Sequence, residues 1–115
     1  MEKKKALNEM EYTLQVIGGK YKLLILHYLK ECGKASFSDI VSYLSIAPKK
    51  TIVLSLKELE IDQILIREVI STKPLRVNYY VSKYGESLFS IIDLLCDWGY
   101  EHIKDNVELI HPICI

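Results

Sequence analysis

Apolar residues recur at helical spacing in five stretches of the chain and alternate along two others. The first two helical stretches, residues 10–17 and 23–29, are separated by Gly18 and Gly19, and the second is apolar on nearly all sides. A helix that is apolar all round is typically buried, so residues 23–29 should form the central core helix. Glycine enters the left-handed backbone region without a Cβ penalty. The glycine pair therefore predicts a helix C-cap, and Gly33 predicts the end of the core helix.

The middle of the chain predicts two helices joined by a short turn. Ser36 is followed three residues later by Asp39, which is the start of a capping-box type of sequence, and apolar residues at helical spacing then continue to Leu44. Beyond the turn, Pro48 suits the first position of a helix over 48–61, because its missing N–H is no loss there. Two helices around a short turn are a helix-turn-helix candidate.

The helix predicted over 48–61 carries apolar residues on two sides. At roughly 100° per residue, Ile52, Leu56 and Leu59 form one stripe suited to burial, while Leu54 points nearly the opposite way, between lysines. Leu54 could contact a thymine methyl group in a DNA major groove, pack against a partner protein, or be an isolated exposed leucine without a role. The sequence leaves these three interpretations open.

The second half of the chain predicts a hairpin followed by a long helix. Residues 64–70 and 77–81 are rich in β-branched and aromatic residues and flank a polar, proline-containing loop, so they read as two strands. Ser82 can cap the last helix, whose apolar face is larger than a small domain needs for itself. Residues 105–115 have no assigned structure. The face of the last helix comprises Leu88, Ile91, Ile92, Leu95 and Trp98.

Composition indicates one compact domain spanning residues 1–115. Half of the 115 residues are hydrophobic, and glycine and proline are few. The formal net charge of zero is not that of a strongly electrostatic nucleic-acid binder, although a local basic patch can still bind. The basic N-terminus has no apolar run behind it, so we expect neither a signal peptide nor a membrane anchor. The expected location is the cytoplasm.

Few residues have the spacing of a chemical site. Cys32, Cys96 and Cys114 are an odd number of cysteines at irregular spacing, which favours plain thiols over a disulfide framework. His111 and Cys114 have ligand-like spacing but lack the paired signature of a zinc site. The chain has no glycine-rich phosphate loop, no zinc-binding His-Glu pair and no nucleophile elbow. We therefore expect no metal, no cofactor and no enzymatic activity.

The order of the predicted elements is that of a winged helix-turn-helix, an α+β fold that is mostly helical. Five segments then resemble the HxlR-type regulators, which are small dimeric winged-helix DNA-binding proteins of bacteria and archaea. The segments stand in the family's order and spacing, and together they cover roughly residues 8–104. They are EYTLQVIGGKYKLLIL at 11–26, FSDI at 37–40, LKELEIDQIL at 56–65, PLRVNYYVSKYG at 74–85 and LLCDWG at 94–99.

This resemblance implies a DNA-binding surface. The helix at 48–61 is similar to the family's recognition helix, the helix at 36–44 to its supporting partner, and the loop around residues 73–76 to the wing tip. Lysine and arginine side chains there would contact phosphates, which position a protein without specifying sequence. The implied DNA-contacting residues are Ser36, Ser38, Lys49, Lys50, Thr51, Leu54, Ser55, Lys57, Lys73 and Arg76.

The resemblance also implies a homodimer, in which the helices near 9–17 and 85–104 form the interface. A pocket between helices at that interface could hold a small apolar effector. The implied interface residues are Met10, Leu14, Ile17, Leu88, Ile91, Ile92, Leu95 and Trp98.

The chain departs from the family pattern at two places. Many members carry a sensor cysteine just before the first helix, whereas the matching position here is Asn8, so thiol sensing by that residue is not expected. The recognition helix has Val53, Leu54 and Ser55 where relatives usually have polar or basic residues, and Pro48 replaces a serine or glutamine near its start. Base readout by hydrogen bonds should therefore be poorer here.

Two functional hypotheses follow. The leading one is a homodimeric, sequence-specific transcriptional regulator that reads a pseudo-palindromic site in double-stranded DNA with one recognition helix per half-site. The alternative is a winged-helix interaction module that has weak or lost DNA binding and uses its apolar recognition helix against another protein.

Overall fold

The structure of the protein is a computed structural model that describes residues 3–112. The strands form one antiparallel sheet in the order β1-β3-β2. The predicted α+β, mostly helical fold is confirmed, with a hairpin after the helix-turn-helix and a long helix at the end. The elements are α1 (Glu9–Ile17), α2 (Lys22–Cys32), β1 (Lys34–Ser36), α3 (Phe37–Tyr43), α4 (Lys49–Ile61), β2 (Leu65–Thr72), β3 (Leu75–Val81) and α5 (Phe89–His102).

One hydrophobic core lies between α2, α4 and the sheet. The predicted core helix α2 contributes Ile25 and Leu26, which are almost completely buried. The predicted stripe of α4, Ile52, Leu56 and Leu59, is also buried and belongs to the same cluster. Both sequence predictions are therefore confirmed, and the rotation of α4 about its own axis is set by this stripe.

The two glycines after α1 have different roles at the helix end: Gly18 is the C-cap, and Gly19 has the positive φ angle. Gly18 has an extended backbone, with φ −70° and ψ 170°, and its N–H donates to the Leu14 carbonyl at 2.6 Å. A Cβ at Gly18 would collide with that same carbonyl oxygen. Gly19 alone takes the left-handed conformation, with φ +92°. The expected helix end is confirmed, but the left-handed residue follows the cap instead of forming it.

Asn8 caps α1 at the position that the resemblance assigns to a sensor cysteine. Its Oδ1 accepts a hydrogen bond from the Glu11 N–H at 2.9 Å. Asparagine is among the residues that best satisfy the orphan N–H groups of a helix start. The departure from the family pattern therefore has a structural use here.

The predicted capping box at the start of α3 is confirmed. The Ser36 hydroxyl accepts from the Asp39 N–H at 3.0 Å, and the Asp39 carboxylate accepts from the Ser36 N–H at 3.2 Å. Ser36 is also the last residue of β1, a strand that the sequence did not predict. A strand of three residues is too short to show an alternating pattern, and β1 exists because β3 pairs with it.

The hairpin is tighter than predicted. Its strands continue through most of the expected loop at 71–76, since Ser71 pairs with Arg76 and Thr72 pairs with Leu75. The turn itself is the Lys73–Pro74 pair, whose peptide bond is cis. Arg76 therefore lies on a strand beside the turn and not at the tip.

The last helix begins later than predicted. A short 3₁₀ turn, Gly85–Leu88, precedes α5, and the Ser82 hydroxyl accepts from the Gly85 N–H at 2.9 Å at its start. The same hydroxyl donates to the Gln63 carbonyl at 2.7 Å. Gly85 is buried so closely against Ile64 that a Cβ would not fit. The N-cap of α5 is Leu88, which makes no side-chain cap hydrogen bond, so the prediction that Ser82 caps the last helix was wrong.

Two residues expected at a dimer interface lie instead in the core of their own chain. Ile17 and Ile92 are each 4% exposed and belong to the buried cluster. Ile17 is buried at the end of α1, and Ile92 lies on the side of α5 that packs on the core. Neither side chain is available to a second protomer, so their assignment to the interface was wrong.

The cysteines differ in state. Cys32 is a free cysteine, and most of the residue is exposed. Partial burial of its thiol raises the pKa of that thiol above the usual value, which lowers the fraction of reactive thiolate. Cys96 is disulfide-bonded, so the expectation of plain thiols was wrong for this residue. Cys114 lies outside the described residues.

Within residues 3–112, no helix has the length and apolar character that crossing a bilayer requires. Over the same residues, no three His, Cys, Asp or Glu side chains come together as a metal site would require.

The rotation of α4 gives a testable contrast between two neighbouring leucines. Leu56→Ala should lower the free energy of unfolding by about 2–5 kcal/mol, because it leaves a cavity in the core. Leu54→Ala should change it by no more than about 0.5 kcal/mol, because Leu54 is exposed. Urea denaturation of both variants at one protein concentration checks this, and equal losses would mean that α4 is rotated differently.

Candidate nucleic-acid interface

An ion pair between a buried lysine and a partly exposed glutamate ties α4 to the core helix. Lys22 of α2 is only 6% exposed, and its Nζ lies 2.7 Å from a carboxylate oxygen of Glu58 on α4. The same ammonium donates to the Gln15 carbonyl at 3.5 Å. A buried ammonium without a partner would be costly, so Lys22 restricts where Glu58 and therefore α4 can lie.

The opposite side of α4 is open to solvent. Lys50, Leu54 and Lys57 are exposed there, with Leu54 56% exposed, and Val53 beside them is exposed too. The predicted outward direction of Leu54 is therefore confirmed. Thr51 is half-buried.

Ser55, also expected on this surface, is 9% exposed and faces the core. The signal was present in the sequence, because Ser55 stands three residues after Ile52 and four before Leu59 and so belongs to their stripe. Its side chain cannot reach a partner of the exposed face, and we remove it from the candidate interface.

The first turns of α3 and α4 meet at Phe37. The Nζ of Lys49 lies 5.7 Å from the centre of the Phe37 ring, within the range of a cation–π contact. Ser36 is half-buried and engaged in the capping box, whereas Ser38 is exposed. Ser36 therefore has a structural role whatever else it contacts, and Ser38 is the more available hydroxyl.

A cavity of about 650 Å³ opens between the start of α3 and the hairpin. Its walls bring together three of the DNA-contact candidates, Ser36, Ser38 and Arg76, and they add Arg67 and Asn78. None of the residues lining the cavity is acidic. Two guanidinium groups near hydroxyl and amide groups can bind phosphate oxygens, because guanidinium is a bidentate partner for oxyanions.

Arg67 was not among the sequence candidates. It lies on β2 opposite Tyr79 of β3, and it points toward the cavity because paired residues of an antiparallel ladder share a face. An available signal was that Arg67 and Arg76 are the only two arginines in the chain. Their proximity required the strand register, which was not known from the sequence.

Within residues 3–112, the lysines and arginines of α4 and the hairpin form no salt bridge. The lysines that do form salt bridges are Lys22, Lys30 and Lys34, and none of them belongs to this surface. A net charge of zero therefore coexists with a locally positive surface. The unpaired cations of this surface are Lys49, Lys50, Lys57, Arg67, Lys73 and Arg76.

Proteins of known sequence resemble this chain over most of its length. A model of the family described as HxlR-like helix-turn-helix matches residues 16–107. The HTH-type transcriptional regulator YtcD of Bacillus subtilis is 43% identical over 104 residues, which cover 90% of this chain and 82% of that protein. An HTH-type transcriptional regulator of Methanothermobacter thermautotrophicus is 38% identical over 93 residues, covering 81% of this chain and 70% of that protein.

Solved structures resemble the fold as well. The crystal structure of the HTH-type transcriptional regulator YtcD superposes with a TM-score of 0.80 at 39% identity, covering 84% of this chain and 98% of that one. The redox regulator HypR in its oxidized form gives a TM-score of 0.78 at 32% identity, with 83% and 97% covered. These similar proteins are transcriptional regulators and not enzymes.

Proposed function

The chain belongs to the HxlR-like helix-turn-helix family, and we propose that this transcriptional regulator binds double-stranded DNA as a homodimer. In this proposal residues 1–115 form a single winged-helix domain, in which α4 is the recognition helix and the β2–β3 hairpin is the wing. A symmetric dimer presents two such helices, so the operator is pseudo-palindromic with one α4 per half-site.

The unpaired cations of α4 and the hairpin support DNA binding most strongly. Phosphate contacts supply most of the salt-dependent affinity of DNA-binding proteins, and cations already held by carboxylates would contribute less. Two carboxylates near this surface are themselves engaged, since Asp39 caps α3 and Glu58 pairs with Lys22. The Glu58 charge is therefore offset by Lys22 and not by a cation of this surface.

Arg76→Ala should weaken DNA binding and flatten its salt dependence. The logarithm of the binding constant should fall less steeply with salt, by about one unit of slope for one lost phosphate contact. The measurement is fluorescence anisotropy with a fragment containing the promoter next to the protein's own gene, from about 50 to 200 mM salt.

The matched control is Lys104→Ala, which removes one positive charge from an exposed position after α5, away from the wing. Its slope should equal that of the wild-type protein. A slope unchanged by Arg76→Ala would exclude Arg76 from the interface. Wild-type protein that bound no fragment of its genome at low salt would contradict the proposed function.

Exposed apolar side chains on α1 and α5 support the homodimer. Met10 and Leu14 are exposed on α1, and Leu95 and Trp98 are exposed on α5, with Trp98 at 66%. Ile91 and half-buried Leu88 extend this set along α5. Clusters of exposed apolar side chains often mark interaction sites, and homodimer interfaces are apolar.

Leu95→Asp should dissociate the dimer, because a carboxylate buried in an apolar interface loses its hydration. Sedimentation at micromolar concentration should show a dimer for the wild-type protein and a folded monomer for Leu95→Asp. Leu75→Asp introduces the same charge at an exposed leucine of the hairpin and should leave the dimer intact. A folded wild-type monomer at micromolar concentration would refute the dimer.

The exposure of Val53 and Leu54 favours a second candidate function, an interaction module that uses α4 against another protein. An exposed leucine in the middle of a recognition helix cannot donate a hydrogen bond to a base. Its favourable base contact is apolar, most naturally with the C5-methyl of thymine. Leu54 therefore distinguishes the two functions.

Replacing thymine by uracil, which lacks only the methyl group, should weaken wild-type binding about fivefold at one position per half-site, as expected from burial of a methyl-sized patch. Leu54→Gln should lose this discrimination while keeping its salt dependence. Wild-type protein indifferent to every such replacement would exclude the methyl contact. Wild-type protein that bound no DNA fragment at low salt would favour the interaction module.

A further inference from the structure

The cavity between the start of α3 and the hairpin has an apolar wall as well as cations. Leu75, Val77 and Tyr79 are alternate residues of β3, so their side chains share one face of the sheet. All three line the cavity, and Leu75 is 62% exposed. An exposed leucine gains free energy when an apolar group covers it, whereas a phosphate group gains nothing from contact with such a wall.

Arg67 lies on the same face of the sheet. It pairs with Tyr79 across the antiparallel ladder, and residues paired in this way share a face. Among residues 3–112 no carboxylate forms a salt bridge with Arg67, and no acidic residue lines the cavity. A guanidinium group binds a carboxylate through two parallel hydrogen bonds. A free guanidinium beside an apolar wall therefore fits a molecule that carries one carboxylate on an apolar body.

The size and position of the cavity suit a small molecule. Its volume of about 650 Å³ lies within the range of ligand sites in proteins. Buried Tyr79 and half-buried Phe37 close its inner end, and Ile70, 54% exposed, lies at its rim. None of the lining residues belongs to α1 or α5. The proposed dimer interface therefore leaves this cavity open.

We propose that this cavity binds a small amphiphilic carboxylate, with one carboxylate group on a compact apolar ring system, and that this ligand competes with DNA. The carboxylate pairs with Arg67, and the rings cover Leu75 and Val77. The binding of this ligand stands by itself, whereas its effect on transcription rests on the proposed DNA binding.

Competition follows because the ligand and DNA use the same groups. Arg67 and Ser38 lie on the candidate DNA interface, and a guanidinium group that holds a carboxylate cannot hold a phosphate in the same way. A ligand that binds only DNA-free protein lowers the apparent DNA affinity by the factor 1 + [L]/Kd, in which Kd is its own dissociation constant. At about ten times this Kd, the ligand should weaken DNA binding about elevenfold.

Equilibrium dialysis of DNA-free protein at pH 7 tests the binding. The probe is 2-naphthoate. Its two comparators are 2-naphthamide, which has the same rings without the charge, and acetate, which has the carboxylate without the rings. We expect one 2-naphthoate per protomer, bound at least about tenfold more tightly than either comparator, because each comparator satisfies only one half of the site.

Variants locate the site. Arg67→Met keeps an unbranched stem but removes the charge, so the preference for 2-naphthoate over 2-naphthamide should fall to about onefold. Arg67→Lys keeps the charge without the planar fork and should keep part of the preference. Leu75→Asn makes the wall polar and should weaken 2-naphthoate binding. Lys104→Ala removes a charge away from the cavity and should bind 2-naphthoate as the wild-type protein does.

Three results would overturn the binding proposal. The first is that 2-naphthoate does not bind at low millimolar concentration. The second is that 2-naphthamide or acetate binds as tightly as 2-naphthoate, and with acetate this would identify a plain anion site. The third is that neither Arg67→Met nor Leu75→Asn changes 2-naphthoate binding.

Regulation is tested separately by repeating the DNA titration with sodium 2-naphthoate and, at the same sodium concentration, with sodium acetate. The apparent dissociation constant of DNA should rise with 2-naphthoate relative to the acetate titration. An unchanged DNA affinity at saturating 2-naphthoate refutes competition. If the wild-type protein binds no DNA, the proposed function fails, while the dialysis result still decides whether the site exists.

Discussion

Burial of one apolar stripe, Ile52, Leu56 and Leu59, is the constraint on which the outer surface of α4 depends. Placing these side chains against α2 and the sheet leaves a single rotation for the helix. Lys50 and Leu54 are exposed as a consequence, and Ser55 is drawn inward with the stripe. The ion pair of buried Lys22 with Glu58 then limits how α4 can slide along α2. A DNA-reading role for α4 would thus be prepared by packing that involves none of the outward-facing residues.

Ser36 links the hairpin directly to the start of the helix-turn-helix. Ser36 ends β1, pairs with Asn78 across the sheet and caps α3 through its side chain. The start of α3 is therefore fixed relative to β3. This fixed geometry forms the cavity in which Arg67 and Arg76 meet Ser38. Positive charge is concentrated at this cavity because both arginines lie on paired strands. The chain as a whole nevertheless has a formal net charge of zero.

Many exposed apolar side chains lie along α1, α5 and the segment after α5, away from this cluster of charge. Part of α5 packs on the core through Ile92, and the remainder, including Leu95 and Trp98, faces outward. Trp98 and Leu95 belong to the proposed dimer surface.

Local pattern in the sequence determined the helices, the buried stripe of α4, the capping box of Ser36 and Asp39, and the outward direction of Leu54. These features depend on helical spacing and on hydrogen bonds between residues close in the chain, so they can be predicted from the sequence alone. Only the tertiary structure decided that β1 exists, that Arg67 and Arg76 line the same cavity, and that Ile17 and Ile92 are buried in their own chain. Spacing tells which side of its own helix a residue occupies, but it does not tell which distant segment covers that side. That is settled by the packing of α1 and α5 on one core and by the register of β2 on β3.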